Sequence, residues 1–259
     1  MKITTFIFTL IIMSTHVGLI QAEENDYQTE PDGRLSLGVA LVAAPKFEGS
    51  KDHQFLALPI IEYDHDLFFV STTRGAGVKL INHESFQLGP VVNYRFGRDQ
   101  DDSDELKGLG DVKGGAEAGL HAGWRFCEPL ALKMEFRHGL GAAKGYTVDL
   151  GLGHTTQLNE DLTLALGLEA SYADRDYNQE YFGVDQKQSL KSGYQEYNPG
   201  GGVKHVAAKA SLTYGLTGNL DLGVYGEYKR LTGPAADSPL VKNGSANQVS
   251  SGLALTWNY

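Results

Sequence analysis

The feature that most constrains this chain is a strict two-residue alternation of apolar and polar side chains. In residues 162–172, Leu, Ala and Tyr occupy the even positions, whereas Thr, Ala, Gly, Glu and Ser occupy the odd ones. Residues 130–137 repeat the pattern, with Leu, Met and Phe on one side and Ala, Lys, Glu and Arg on the other. A strand places two such sets on opposite faces, whereas a helix would mix them. The pattern therefore predicts an all-β protein.

Most of the segments that carry this pattern approach the roughly 9–11 residues that a tilted membrane-crossing strand requires. The third and fourth are short and weakly patterned, so ten strands stay open as an alternative to twelve. Pro59 and Pro90 fall inside two segments, where a proline would remove a ladder hydrogen bond. The twelve segments are residues 34–42, 55–63, 67–73, 77–81, 86–96, 114–126, 130–138, 146–154, 162–173, 203–214, 220–230 and 249–259.

The connections between these segments are sorted by length. Those after even-numbered segments are short, whereas the long ones all follow odd-numbered segments, at residues 43–54, 97–113, 174–202 and 231–248. Two short connections, at 74–76 and 139–145, also follow odd-numbered segments. Short periplasmic turns, long external loops and both termini inside are typical of an even-stranded outer-membrane barrel. We therefore predict an antiparallel transmembrane β-barrel of twelve strands.

The N-terminal residues predict export from the cytoplasm. Residues 1–22 begin with the basic Lys2, continue through an apolar core and end on the small Ala22, which is the order of a cleaved signal peptide. Residues 23–259 are then predicted to form one barrel domain.

The formal net charge of −10 disfavours nucleic acid as a partner. The single cysteine, Cys127, excludes an internal disulfide.

Several stretches carry a family resemblance. Residues 89–98 read Gly-Pro-Val-Val-Asn-Tyr-Arg-Phe-Gly-Arg and run into an acidic stretch that ends in Gly-Leu-Gly-Asp at Asp111. On these motifs the chain resembles the MipA/OmpV family of outer-membrane proteins, although it ends on Tyr259 where that family usually has Phe. Supporting pieces lie at residues 58–63, 181–184, 192–194 and 231–241.

The resemblance implies a location in the outer membrane of a Gram-negative bacterium. It also implies a scaffold role, since the family is named for a member that binds a membrane-bound lytic transglycosylase and a bifunctional peptidoglycan synthase. Outer-membrane lipid and lipopolysaccharide would surround such a barrel. The last strand, with Trp257 and the terminal Tyr259, resembles the signal that barrel-assembly machinery reads in outer-membrane proteins.

Two sets of charged residues are candidate functional groups. The first set lies on the polar faces of the predicted strands, where it either selects a solute or pairs across strands and fills a narrow lumen: Lys133, Glu135, Arg137, Asp149, Glu169, Lys209, Glu227 and Lys229. The second forms an acidic external loop: Asp99, Asp101, Asp102, Asp104 and Glu105. Its spacing lacks the sixth-position Gly and twelfth-position Glu of a calcium-binding hand, which favours a solvated loop over weak binding of Ca²⁺ or Mg²⁺.

No motif in the sequence predicts catalysis. The chain has no Gly-x-Ser-x-Gly elbow, no His-Glu-x-x-His and no phosphate-binding loop, and we expect neither enzymatic activity, a metal nor a cofactor. The resemblance favours an interaction scaffold for enzymes that synthesise and hydrolyse peptidoglycan. The charged polar faces leave a narrow porin-like channel for small polar solutes as the alternative function.

Overall fold

The computed structural model describes residues 33–127 and 129–259, so the predicted signal peptide lies outside the described residues. Thirteen described strands form a single antiparallel sheet. They are β1 (Arg34–Pro45), β2 (His53–Asp64), β3 (Phe68–Ser71), β4 (Gly75–Val78), β5 (Ile81–His83), β6 (Phe86–Arg95), β7 (Gly115–Cys127), β8 (Leu130–Gly139), β9 (Tyr146–Asn159), β10 (Leu162–Ala173), β11 (Gly202–Thr217), β12 (Leu220–Leu231) and β13 (Asn247–Asn258).

The sheet closes on itself. β1 pairs with β13 and β4 pairs with β6, so the strand order has no free end. β5 continues β4 after a break at Lys79 and Leu80 and pairs with the first residues of β6. Counting β4 and β5 as one interrupted strand gives a barrel of twelve strands, which confirms the predicted fold class and count.

The two faces of the wall differ as the alternation predicts. On β10, Leu166 and Leu168 point outward and are exposed, whereas Ala165 points inward and is buried. On β12, Val224 and Tyr228 are exposed, and Glu227 is buried. The outside of the barrel therefore carries a continuous apolar surface and the inside carries polar groups, as in a barrel surrounded by lipid.

The two ends of the barrel differ in their connections. The turns from β2 to β3, β5 to β6, β9 to β10 and β11 to β12 contain two or three residues each, and we refer to their end as the turn end. Both described chain ends lie there. The Asn258 N–H of β13 donates to the Asn219 carbonyl in the β11–β12 turn, and the Asn219 side-chain amide donates to the Asn258 carbonyl. The Tyr259 N–H donates to the carbonyl of Leu35, near the start of β1. The longer connections, residues 46–52, 96–114, 174–201 and 232–246, share the opposite loop end. The predicted sorting of connections is confirmed.

At the turn end, two strands run three or more residues past their predicted ends. β9 runs to Asn159 and β11 to Thr217, past the predicted ends at residues 154 and 214. The added residues are mostly polar, so hydropathy did not distinguish them from turn residues, but their backbone pairs with β10 and β12. The turns at this end are consequently shorter than the sequence predicts.

The strand prolines lie where the ladder is already interrupted. The N–H and C=O of Ile61 both bond Thr72 on the β3 side, so Pro59, two residues earlier, faces the same side. In the described chain no strand pairs with β2 at that point. Pro90 lies opposite the break between β4 and β5, because β6 pairs with β4 at Val91 and with β5 only from Leu88.

The loop end is covered by a structure that we call the cap. It contains α1 (Arg175–Phe182), α2 (Gln186–Ser192), α3 (Gly233–Ala236) and α4 (Pro239–Asn243), together with two 3-10 turns at Gln100–Asp102 and Asp104–Leu106. Within the described ranges no helix is both long and apolar enough to cross a membrane. An apolar cluster packs the loops of the cap against one another. It includes Phe47, Leu106, Leu109, Val184 and Leu240.

Candidate functional site

One group of interior charges is centred on Arg137 of β8. Its guanidinium bonds Asp149 of β9 and lies 3.6 Å from Glu135 and 3.7 Å from Glu117 of β7. Arg95 of β6 donates through Nε to the same Glu117 at 2.7 Å. Two guanidinium groups thus stand among three carboxylates, and Arg95, Arg137, Glu117 and Asp149 are all buried.

A second group of charges crosses β10, β11 and β12. Lys209 lies 2.7 Å from Glu169 and 3.4 Å from Glu227, and Lys229 lies 3.3 Å from Glu227. His205 places Nε2 3.0 Å from Glu169. Register explains these contacts, since Lys209 lies directly opposite Glu227 on the neighbouring strand.

Tyr177 of α1 joins the two sides of the interior. The Arg95 guanidinium of β6 lies 4.6 Å from its ring centroid, and the Lys204 ammonium of β11 lies at the same distance. Lys204 also donates to the Tyr177 hydroxyl at 3.1 Å and lies 3.1 Å from Glu48 in the β1–β2 loop. β6 and β11 are five strands apart in the ring of twelve, so one buried tyrosine ring touches nearly opposite walls.

The electrostatics of the cap favour charged Glu48 and neutral Tyr177. Burial alone would raise the pKa of Glu48, but Lys204, Lys229 and His205 outweigh it and hold that pKa below the ordinary carboxyl value. Burial, with the charge of Glu48, raises the pKa of Tyr177, so its hydroxyl stays protonated and donates to Glu48 at 3.5 Å.

Arg98 is a further positive charge near Glu48. It lies in the β6–β7 connection, where its backbone pairs with Val112 and its side chain is buried. Burial lowers the pKa of Arg98 to about 10, which leaves the guanidinium charged at neutral pH. The cap therefore contains positive charge close to Glu48, and this charge favours the ionised carboxylate.

Seven of the eight predicted interior charges take part in these ion pairs: Glu135, Arg137, Asp149, Glu169, Lys209, Glu227 and Lys229. The eighth, Lys133, shares their strand face but is exposed and lies nearer the turn end. Buried charges that satisfy one another fix a rigid interior, and their rearrangement is costly. A role of the eight residues in a solute path stays a prediction.

The sequence reasoning missed several residues of these groups. Arg95 and Glu117 follow the same alternation on their strands as the predicted set, so the period of two could have identified them. Glu48 and Tyr177 come from connections without a periodic pattern, and no local signal marks them.

Four of the five carboxylates of the acidic loop bond within the loop, and Glu105 also lies 3.8 Å from Lys51 in the β1–β2 loop. Asp99 accepts a hydrogen bond from the backbone N–H of Asp101, and Asp102 accepts one from Asp99. Asp104 pairs with Lys107 at 2.5 Å, and Glu105 accepts from the Ser103 hydroxyl. Across residues 33–127 and 129–259 no group of three acidic, histidine or cysteine side chains is arranged to hold a metal ion. The loop thus forms two 3-10 turns, of which the first carries a reciprocal side-chain cap between Asp99 and Asp102.

The last strand places its aromatic residues at the turn end. Trp257 pairs with Leu37 of β1 and Leu220 of β12, so β13 closes the barrel. The Trp257 and Tyr259 rings lie 6.5 Å apart and both are exposed on the outside. Their role as an assembly signal stays a prediction.

Comparison with known proteins identifies relatives of the chain. The family description "MltA-interacting protein MipA" matches residues 37–259. The MltA-interacting protein of Escherichia coli (strain K12) is 25% identical over 255 residues, which cover 94% of each chain. Outer membrane protein OmpV of Vibrio cholerae is 28% identical over 182 residues, covering 70% of this chain and 66% of the relative. The solved KdgM porin is 11% identical, with a TM-score of 0.45 over 86% of this chain and 99% of that one.

The family match covers nearly all of the described barrel, and it includes the strands that carry both groups of interior charges. The relatives are named as outer-membrane proteins, which agrees with the apolar outer surface of this barrel. The predicted location in the outer membrane is therefore confirmed. The chain belongs to the MltA-interacting protein MipA family of outer-membrane β-barrels.

Proposed function

We propose that this protein is a closed, non-catalytic outer-membrane barrel that binds a cell-wall enzyme at its rim and does not conduct solutes. One observation carries the first half of the proposal. The Tyr177 ring lies 4.6 Å from Arg95 on one wall and 4.6 Å from Lys204 on the nearly opposite wall, which leaves little room for a solute. The ion pairs below and the packed cap above hold that ring in place.

The relatives support the second half of the proposal. One of them is named for an interaction with MltA, and the present chain aligns with 94% of its length. The partner class that we propose is therefore a membrane-bound lytic transglycosylase, with a peptidoglycan synthase as a further member of the same assembly. A scaffold needs a stable rim but no open channel. A closed barrel therefore suits a scaffold better than an open one.

The turn end offers a surface for such a partner. Its turns are short but acidic, with Asp66, Glu160 and Asp161 exposed. A charged rim steers association with a partner of opposite charge and affects the association rate more than the dissociation rate. We propose that this acidic rim faces the periplasm and contacts a basic patch on the enzyme.

Planar-bilayer recording tests closure. The refolded barrel is expected to give no discrete current steps, because the interior is occupied. A second sample carries Lys133→Gln, Glu135→Gln and Arg137→Gln. Discrete steps from the unaltered barrel, with an ion selectivity that changes in this variant, would instead support the alternative function of a narrow porin-like channel.

Binding of a purified enzyme tests the scaffold role. The probe is the soluble catalytic domain of a membrane-bound lytic transglycosylase, and the readout is its association with the barrel in detergent micelles. Reversal of the rim charges by Asp66→Lys, Glu160→Lys and Asp161→Lys should lower the association rate by about tenfold, since steering charges act on that rate. Glu196→Lys in the cap is the matched control and should leave the rate unchanged. No binding to the unaltered barrel would contradict the proposal.

A further inference from the structure

The barrel wall has an opening above the β3–β4 hairpin. β3 and β4 contain four residues each, whereas β2 contains twelve and β6 contains ten. β3 pairs with β2 only from Glu62 to Asp64, and β4 pairs with β6 only at two positions. In the described chain, β2 from His53 to Ile60 and β6 from Asn93 to Arg95 therefore lack a strand partner on their facing edges. We call the gap between these two edges the window.

The window opens at the depth of the apolar outer surface. Pro59 on its edge lies across from Val39 of β1, which lies across from Leu255 of β13. Val39 and Leu255 are 46% and 42% exposed on the outside, so the same belt of lipid-facing side chains surrounds the window. Phe55 on the β2 edge is 88% exposed. Because this surface faces lipid in the outer membrane, the molecules outside the window are lipids.

Loops close the window at its upper border. Lys51 in the β1–β2 loop lies 3.8 Å from Glu105 in the β6–β7 connection, so the two connections meet above the gap. The Tyr181 hydroxyl of α1 donates to the backbone carbonyl of Phe96 at 3.1 Å, which fixes the upper end of β6. The window is thus bounded by the hairpin below, by strands at its sides and by the cap above.

The interior behind the window differs from the rest of the lumen. The wall from β6 to β12 carries the two groups of ion pairs. The middle of the sector formed by β13, β1 and β2 is instead apolar, between buried Ser36 and Thr256 toward the turn end and buried Ser250 and Gln248 toward the loop end. Its members pack as one cluster, which we call the apolar sector: Ala40, Val42, Ala44, Ile60, Tyr225 and Ala254, with Leu56 and Leu58 against them. An apolar interior surface that is reached from the lipid side through a gap suits a hydrocarbon chain.

One polar atom in the apolar sector has no protein partner. The Tyr225 hydroxyl is buried, its residue is only 7% exposed, and it makes no hydrogen bond. Its ring lies close to Gly252 of β13, where an added Cβ would come within 2.4 Å of the ring atom Cε1. Buried hydroxyl groups are nearly always hydrogen-bonded, so this one predicts a ligand that carries an acceptor oxygen.

The window edge supplies further donors. The N–H and C=O of Ile61 point toward β3, so those of Ala57 and Phe55, four and six residues earlier, point into the window. Backbone groups at membrane depth must be satisfied, because lipid offers them no partner. An ester or amide oxygen of a lipid would accept from these N–H groups.

We propose that the window and the apolar sector form a lateral binding site for the acyl chain of a membrane lipid. The chain enters between β2 and β6 and lies against Leu56, Leu58 and Ile60. Its ester or amide oxygens accept hydrogen bonds from the window edge and from the Tyr225 hydroxyl. The occupant is identified by the continuity of the window with the lipid-facing surface.

Quenching by brominated lipid tests this site. In a Cys127→Ser background, a fluorescent bimane group is attached at Leu58→Cys, at Gly151→Cys or at Leu152→Cys, and each barrel is placed in phosphatidylcholine vesicles with brominated acyl chains. Gly151 lies on β9, opposite β2 in the ring, and faces the charged lumen with space for a Cβ, since the nearest atom is 3.8 Å away. Leu152 faces lipid and reports full quenching.

The label at Leu58 is expected to be quenched several-fold more than the label at Gly151 and nearly as much as the label at Leu152. Adding Leu56→Gln should reduce quenching at Leu58, whereas Thr155→Gln on the opposite wall should not. Heat-modifiable gel mobility identifies the folded barrels, and only these are compared. Quenching at Leu58 as weak as at Gly151, or unaffected by Leu56→Gln, would overturn the proposal.

Discussion

Glu48 connects the β1–β2 loop to the interior through its contact with Lys204 on β11. The pKa of Glu48 is lowered in the folded protein, so ionisation of this carboxyl group stabilises the folded state. That contribution is complete above the ordinary carboxyl value of 4.5 and is lost as the pH falls through the folded-state pKa. The cap should therefore be less stable in acid.

Glu48→Gln should lower the free energy of unfolding at neutral pH by about 3 kcal/mol, since breaking a buried pair leaves Lys204 without its charge partner. Below pH 4.5 the difference from the unaltered protein should shrink, because protonation removes the same charge. Urea unfolding followed by tryptophan fluorescence, repeated across pH, measures both. A difference that stays constant with pH would contradict this assignment.

Arg137 should be the most costly interior cation to remove, because it serves Asp149, Glu135 and Glu117 together. Arg137→Met should destabilise the barrel by about 3–5 kcal/mol. The double variant with Asp149→Asn should recover part of that loss, as one uncompensated carboxylate is then removed. Urea unfolding checks the order of the three proteins, and an equally stable Arg137→Met variant would show that the network is not cooperative.

The sequence predicts the charges of the site that lie on strands but not those that lie in the connections. Charges on strands follow a period of two, so the alternation predicted seven residues that the structure places in ion pairs. Tyr177 and Glu48 lie in connections, and their positions depend on contacts with strands distant in sequence. Such contacts have no local signature.

At the scale of elements, the strands were predictable because each one is specified by its own alternation. The fourth predicted strand proved to be interrupted, since Lys79 and Leu80 leave the ladder between β4 and β5. The cap helices were not predicted. α1 has its N-cap at Asp174, but it buries Tyr177, Tyr181 and Phe182 against other loops, so its formation depends on tertiary packing.

The window gives Pro59 a testable property. Pro59→Val should change the free energy of unfolding by no more than about 0.5 kcal/mol, because no strand pairs with that edge and no ladder bond is gained. Val39→Pro at the same depth should cost about 1–3 kcal/mol, because β1 has a partner on each side and the proline removes a ladder hydrogen bond. Urea titration of both variants checks the contrast, and equal losses would place a strand partner beside Pro59.

At the scale of the whole molecule, closure of the barrel wall and the proposed closure of its lumen have separate causes. The wall closes through pairing of β1 with β13, which depends on the strands alone. The proposed closure of the lumen comes from the cap, which depends on loops packed against one another and against charges on the wall. The wall should therefore persist when the cap is removed.

If the barrel is silent, as we propose, replacement of residues 175–200 by a short Gly-Ser linker should convert it into a conducting one. The change is structurally mild, because Ala173 and Gly202 are already paired and a tight turn can join their strands. It removes Tyr177, so Arg95 and Lys204 lose the ring between them and the interior fills with water. Tyr177→Phe, which keeps the ring, is the control and should stay silent in planar bilayers. A folded variant without the loop that still passes no current would mean that the wall charges, and not the cap, close this lumen.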